Sequence, residues 1–127
     1  MGRPKILSVE DSEDQQRILA WRLRKLGDFD LREARDGREA VEVVQADPPD
    51  LIFMDLGLPR MDGWEATRRI RELPGGSELR IVALSARVMR ADRQRAVDAG
   101  CDDFITKPVV KSEVICQAVR RWLPQVL

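Results

Sequence analysis

The stretch from Leu51 to Gly63, LIFMDLGLPRMDG, decides the fold class of this chain. It begins with an apolar run of the kind that a chain buries, and then places a carboxylate, Asp55, at the tip of that run. Glycine and proline follow and interrupt the backbone. A turn does not need an acid at the end of a buried strand, because an unpartnered buried carboxylate is costly. Asp55 therefore requires partners from elsewhere in the sequence.

Short apolar runs of β type recur along the chain, and each is separated from the next by a longer segment with helical periodicity. This alternation predicts repeated βα units around one parallel sheet. The predicted strands are Ile6–Val9, Leu31–Ala34, Leu51–Met54, Ile81–Leu84 and Phe104–Thr106. The predicted helices are Asp14–Leu26, Gly37–Ala46, Trp64–Leu73, Arg90–Ala99 and Val110–Leu123.

Length and charge limit the class of protein. The chain has 127 residues, of which 43% are apolar, and this predicts a single domain over residues 1–127 with its core at about 4–123. The 22 basic and 22 acidic side chains cancel, so we expect no direct binding to nucleic acid. No apolar run approaches the roughly 18 residues of a membrane span, and no signal peptide precedes the first predicted strand. Cys101 and Cys116 lack the spacing of metal ligands, and no histidine is present to complete a zinc site, so we expect both to be reduced thiols. A cytoplasmic protein is the simplest expectation.

Polar residues follow four of the five predicted strands, at the sheet edge where open parallel sheets bind ligands. They are Glu10 and Asp11, Asp55, Ser85, which Ala86 follows, and Lys107, which Pro108 follows. Except for Asp55, each has an ordinary alternative when taken singly: the acids at 10 and 11 as a helix cap, Ser85 as a loop hydroxyl, and Lys107 as a solvated lysine. Their convergence on one edge favours a shared site.

The chemistry of these residues is mutually consistent. Three carboxylates close together repel one another and raise a pKa unless a cation lies among them. Mg²⁺ is the expected cation, because it prefers oxygen ligands and leaves room for a phosphoryl oxygen. Lys107 would then hold Asp55 by charge, and the Asp55 carboxylate could approach an incoming phosphoryl group as a nucleophile.

Four ordered motifs resemble the CheY-like receiver domain of two-component response regulators, and the resemblance covers nearly the entire chain. They are Val-Glu-Asp at 9–11, Met-Asp-Leu-Gly-Leu-Pro-Arg-Met-Asp-Gly at 54–63, Ala-Leu-Ser-Ala at 83–86 and Ile-Thr-Lys-Pro at 105–108. The resemblance implies a flavodoxin-like, doubly wound α/β fold with a five-stranded parallel sheet of order 2-1-3-4-5 and helices on both faces. It also implies a signalling domain that assists its own phosphorylation and dephosphorylation rather than an enzyme.

The resemblance assigns roles to the residues at the sheet edge. Asp55 would accept a phosphoryl group from a phosphohistidine on a sensor histidine kinase or a histidine phosphotransfer protein. The implied Mg²⁺ ligands are Glu10, Asp11, Asp55 and the carbonyl of Gly57. The phosphoryl oxygens would be bound by Ser85, the backbone N–H of Ala86, and Lys107, and Pro108 is expected to follow a cis peptide bond.

The resemblance further implies a switch in which Ser85 moves toward the phosphoryl group and Phe104 turns inward; a permanently buried Phe104 is the alternative. The readout face would be formed by the fourth helix, the fifth strand and the fifth helix, and it would bind a downstream protein target. The domain itself would be a monomer or a weak phosphorylation-dependent dimer. This face includes Arg87, Arg90, Arg93, Lys111 and Trp122. Trp122 is expected to be core, with partner recognition as the alternative, and Ile18 is equally compatible with the core and with a kinase contact.

Other functions remain compatible with parts of the pattern. A phosphohydrolase of the haloacid-dehalogenase kind shares the nucleophile and the metal, but it needs an acid two residues later, where this chain has Gly57. A degenerate receiver that only binds proteins usually lacks the acceptor or an acid, and this chain has all of them. The start at Met1 and the short tail favour a stand-alone regulator over part of a hybrid kinase.

Overall fold

The computed structural model describes residues 2–58, 61–86, 89–107 and 112–123, in which five strands alternate with five α-helices. The strands are β1 (Lys5–Val9), β2 (Asp30–Ala34), β3 (Leu51–Asp55), β4 (Arg80–Ser85) and β5 (Asp103–Thr106). The helices are α1 (Glu13–Leu26), α2 (Gly37–Ala46), α3 (Gly63–Glu72), α4 (Arg90–Ala99) and α5 (Ser112–Trp122), and a 3₁₀ turn spans Gly76–Glu78. None of these helices is both long and apolar enough to cross a bilayer.

The five strands form one parallel sheet in the order β2-β1-β3-β4-β5, which confirms the predicted order. The chain passes from β1 outward to β2 and then returns to β3 on the other side of β1. The strand order therefore reverses between β1 and β3, and a crevice is expected at their carboxyl ends. Glu10 follows β1 and Asp55 ends β3, so both residues lie at this point.

Helices cover both faces of the sheet and enclose two apolar clusters. One cluster lies under α2, α3 and α4, and the other lies under α1 and α5. Alternate side chains of β3 enter the two clusters, and all of them are fully buried: Ile52 and Met54 on one face, Leu51 and Phe53 on the other. Burial on both faces explains why this strand is a continuous apolar run rather than an alternating one.

Polar side chains begin three of the helices. Ser12, Asp36 and Asp62 are the N-caps of α1, α2 and α3, and each accepts a hydrogen bond from a backbone N–H in the first turn. Because Ser12 caps α1, the interpretation of the acids at 10 and 11 as its cap is wrong. Those two carboxylates are available to the edge of the sheet.

Ile18 and Trp122 are the two side chains whose burial the sequence left open. Ile18 is 45% exposed, so it is not a core residue. Trp122 is half-buried against the apolar cluster under α1 and α5, and its Nε1 donates to Asp103 Oδ2 at 3.1 Å. Trp122 therefore packs largely as the sequence predicts.

Candidate functional site

Three acidic side chains meet at the carboxyl edge of the sheet. Asp55 and Glu10 are only 6% and 5% exposed, whereas Asp11 faces solvent. One carboxylate oxygen from each of the three residues lies within 4.8 Å of the other two. Oxygen ligands at this spacing suit a hard divalent cation such as Mg²⁺. The donor set therefore fits the cation that the sequence predicts.

Lys107 joins the two buried carboxylates. Its Nζ donates to Glu10 Oε2 at 3.0 Å and lies 3.5 Å from Asp55 Oδ2. Backbone N–H groups bond the remaining oxygens: Gly57 donates to Asp55 Oδ1 at 3.0 Å, and Ser12 donates to Glu10 Oε1 at 3.3 Å. The side chain of Lys107 is only 20% exposed, so the interpretation as an ordinary solvated lysine is wrong.

The charges of this cluster shift two pKa values. The pKa of Glu10 is raised to about 7, first by burial and then by the hydrogen bond and like charge of Asp55, while Lys107 opposes the rise. Burial lowers the pKa of Lys107, but the hydrogen bond to Glu10 and the charges of both acids outweigh burial and raise this pKa overall. Three carboxyl groups facing one ammonium leave an excess of negative charge, which an added cation would relieve.

An open cavity of about 380 Å³ lies beside Asp55. Its walls include Gly57, Ser85, Ala86 and Lys107. Ser85 is the last residue of β4 and is 4% exposed, so it is not a loop hydroxyl. The structure thus brings the residues predicted to bind phosphoryl oxygens into one cavity with the predicted nucleophile.

Phe104, the second residue predicted to switch, lies on β5 opposite Ala83. Its ring is half-buried against the apolar cluster under α2, α3 and α4, and the guanidinium of Arg93 lies 5.0 Å from the ring centre. The interpretation as a fully buried aromatic is therefore wrong, and the inward turn stays a prediction. Three further residues of the predicted site and readout face lie outside the described residues: Arg87, Pro108 and Lys111.

Trp64 lines the same cavity, although the sequence patterns did not reveal it. It is the second residue of α3, is 6% exposed, and stacks with Arg95 of α4, whose guanidinium lies 3.8 Å from the ring centre. A cation–π contact of this kind ties α3 to α4 beside the site. Its position directly after Gly63, at the end of the stretch that carries Asp55, is the sequence signal that could have found it.

Gln16 is a second residue near the site that sequence reasoning missed. It lies in α1 and is 5% exposed, in line with Leu19 and Leu23, which are also buried. The spacing of positions 16, 19 and 23 places all three on one helical face. A glutamine at a core position of an apolar face is the signal, because a buried amide needs hydrogen-bond partners.

Comparison with known proteins gives a consistent result. A family model described as the response regulator receiver domain matches residues 6–120. The chain is 37% identical over 110 residues to an uncharacterised 14.6 kDa protein of Leptolyngbya boryana, and the match covers 87% of this chain and 83% of that protein. Further curated relatives are longer, and the chain spans between 6% and 52% of their lengths.

Solved structures agree with this match. The receiver domain of the sensor histidine kinase PA1611 of Pseudomonas aeruginosa, with magnesium in its active site cleft, superposes with a TM-score of 0.88 at 34% identity, covering 97% of this chain and 99% of that one. The co-crystal structure of Saccharomyces cerevisiae Ypd1, a histidine phosphotransfer protein, with the Ssk1 receiver domain gives a TM-score of 0.88 at 33% identity. That match covers 98% of this chain and 92% of the solved chain.

Proposed function

The chain belongs to the response regulator receiver domain family, and from this membership we propose that Asp55 accepts a phosphoryl group from a phosphohistidine on a partner protein. One observation carries the proposal: the carboxylate of Asp55, at the end of the central strand, lies within the acidic cluster and close to Lys107. It also borders a cavity that Ser85 lines. This arrangement has a nucleophile, a means of neutralising charge and space for a small group. Phosphoryl transfer needs these three elements.

Glu10, Asp11, Asp55 and the backbone carbonyl of Gly57 would hold Mg²⁺. The three carboxylates support this assignment by their mutual distances, and the receiver domain of the Pseudomonas aeruginosa kinase has magnesium in its cleft. When bound, the ion would offset the charge of the carboxylates and of the phosphoryl oxygens.

Asp55 would act as the nucleophile through one carboxylate oxygen. A bond forms between that oxygen and phosphorus, the bond from phosphorus to the partner's imidazole nitrogen breaks, and the imidazole leaves with its electron pair. Gly57 N–H holds Asp55 Oδ1, and Lys107 balances the charge near Oδ2. Ser85 and the Ala86 N–H would bind the oxygens of the transferred group from the cavity wall.

Phosphorylation would be read out by a conformational change. Ser85 would move toward the phosphoryl group, and Phe104, now half-buried under Arg93, would turn inward. The face formed by α4, β5 and α5 would then bind a downstream protein target, with the domain acting as a monomer or a weak dimer. A local change in charge would thus bias a two-state element.

A phosphohistidine donor must lie outside these 127 residues, because they contain no histidine. A sensor histidine kinase or a histidine phosphotransfer protein is the proposed donor, and the co-crystal structure of Ypd1 with the Ssk1 receiver domain supports this class of partner. Cys101 and Cys116 are free thiols, which suits a reducing compartment, so we place this encounter in the cytoplasm.

The test is incubation with acetyl phosphate and Mg²⁺, followed by intact-mass spectrometry. We expect one added phosphoryl group that is stable in acid and labile in base. Asp55→Asn should abolish the adduct, and Asp14→Asn, which changes an exposed acid of α1, should retain it. A wild-type protein without an adduct, or an Asp55→Asn adduct, would contradict the proposal. Continuous turnover of a small phosphate ester would instead favour a phosphohydrolase.

A further inference from the structure

The side-chain amide of Gln16 lies where β1 and β2 end. It is buried on the inner face of α1, while the preceding residue, Gln15, points to solvent. Its Nε2 lies within hydrogen-bond distance of three backbone carbonyl oxygens: those of Ser8 and Glu10 at 3.1 Å and that of Ala34 at 3.0 Å. One amide of α1 therefore connects this helix to the carboxyl ends of both β1 and β2.

The same amide is held at its other end. Gln16 Oε1 accepts a hydrogen bond from the hydroxyl of Ser8 at 2.5 Å. This bond orients the amide so that its nitrogen, rather than its oxygen, points toward the carbonyls. Ser8 is itself only 7% exposed. An amide group has two N–H donors, so the three carbonyls share them in a network that is saturated on the donor side.

This network converges on Glu10. Its carbonyl accepts from Gln16, and its own N–H donates to Ala34 O at 3.0 Å, the carbonyl that Gln16 also contacts. The peptide groups on both sides of the Glu10 Cα are thereby fixed. The Glu10 carboxylate and the adjoining Asp11 are two of the three acids in the cluster around Asp55.

We propose that Gln16 is a positioning residue for the metal site, acting through the backbone of Glu10 and Asp11. The inference rests on the proposed function, because it takes the acidic cluster to bind Mg²⁺. Mg²⁺ demands near-octahedral geometry, so a small displacement of two of its ligands weakens binding. Residues that orient metal ligands typically change metal affinity by roughly 10- to 100-fold when they are replaced. Gln16 orients a ligand's backbone, so we expect a loss of about tenfold.

The experiment measures the dissociation constant for Mg²⁺ by isothermal titration calorimetry in the full chain, at a temperature where every variant is folded. Gln16→Met keeps the side-chain volume and removes the amide, and it should bind Mg²⁺ about tenfold more weakly than the wild type. Gln15→Met makes the same change at the neighbouring exposed position and should bind as the wild type does. Ile115→Val loosens the fully buried core of α5 and serves as the control for reduced stability alone.

Unchanged Mg²⁺ affinity in Gln16→Met, with a lowered unfolding temperature, would overturn the inference and leave Gln16 a residue of the fold only. An equal loss of affinity in Ile115→Val would overturn it as well. If Gln16→Met does not fold, Ser8→Ala decides, because it removes only the hydroxyl that orients the amide: a raised dissociation constant supports the inference and an unchanged one overturns it. Absence of Mg²⁺ binding in the wild type would overturn the proposed metal site and this inference together.

Discussion

Lys107 Nζ lies 3.0 Å from Glu10 Oε2, and the same ammonium group lies 3.5 Å from Asp55 Oδ2. One positive charge therefore serves two buried carboxylates, with Asp11 close by as a third acid. Without a metal ion, the cluster carries more negative charge than the protein neutralises. The residues that would bind a cation should therefore destabilise the fold when no cation is present.

Replacing the predicted nucleophile should stabilise the metal-free protein. Asp55→Asn removes one of the three like charges and keeps a side chain that can accept the Gly57 N–H. We expect its free energy of unfolding, from urea denaturation in EDTA at neutral pH, to rise by about 1–2 kcal/mol. Asp14→Asn, at an exposed position, should stay within about 0.5 kcal/mol of the wild type. A less stable Asp55→Asn protein would refute the idea that repulsion dominates this cluster.

Glu10 should make the stability of the metal-free protein depend on pH. Its pKa is raised from 4.5 to about 7, first by burial and then by Asp55, so the folded state holds the proton more tightly than the unfolded state does. The stabilisation from that proton is complete below pH 4.5 and is lost as the pH rises through about 7. Urea denaturation in EDTA across this interval should show the loss in the wild type. The Glu10→Gln variant should show a smaller one, and parallel curves for the two proteins would contradict the assignment.

The fold was largely predictable because burial leaves a periodic trace in the sequence. β3 packs on both faces and is therefore a continuous apolar run, and α1, α2 and α3 begin at side chains that cap them. The predicted boundaries of α2 and α4 match those observed, and those of α1 and α3 differ by one residue. Element ends shift by this amount because terminal hydrogen bonds, rather than apolar periodicity, define them.

The site was predictable only in part. Parallel strands end at one edge, so Glu10, Asp55 and Lys107 could be placed together from their positions after the strands, although their chemical roles stay predictions. Gln16 could not be assigned in this way, because its partners are carbonyl oxygens of two different strands and backbone groups leave no mark in the sequence. Ile18 shows a related limit: apolar character alone does not reveal which edge of a helical stripe faces solvent.

Gly63 should resist substitution because its backbone packs directly against the strand that carries Asp55. A Cβ atom added there would lie 2.6 Å from Leu56 Cα and also collide with the Asp55 carbonyl oxygen. Gly63→Ala is therefore expected to lower the free energy of unfolding by about 1–3 kcal/mol. In contrast, among the described residues a Cβ at Gly57 would meet only Asp55 Oδ1, at 3.8 Å. Gly57→Ala should change stability by less than about 0.5 kcal/mol in the same urea denaturation experiment, and equal losses would contradict the steric argument.

Arg71 should be essential for stability, because its guanidinium bonds four residues in two other segments of the chain. Nε donates to Gly100 O at the end of α4, Nη1 donates to Gly76 O and Leu79 O, and Nη2 donates to Asp102 Oδ2 at 2.9 Å. A lysine ammonium cannot reproduce this planar fork. Thermal and urea denaturation of Arg71→Lys should reveal a loss of about 2–3 kcal/mol.

Arg69 provides the matched control for Arg71. It lies on the same helix, but its side chain is more than half exposed and, within the part of the chain that the structure describes, bonds only to Glu65, one turn away. Arg69→Lys should therefore stay within about 0.5 kcal/mol of the wild type. If the two substitutions cost the same, the carbonyl contacts of Arg71 would not be the source of its effect.

Cys101 should be a poorly reactive thiol in the folded protein. Burial raises its pKa to about 11, an effect that the contact with Thr67 and the charge of Arg71 only partly oppose. The thiolate is the nucleophilic form, so roughly one molecule in a thousand would be reactive at mildly alkaline pH. Iodoacetamide labelling followed by peptide mass spectrometry should modify Cys101 at least about tenfold more slowly in native protein than in urea. Because the thiol is restored to water on unfolding, equal rates in both conditions would show that burial does not control its ionisation.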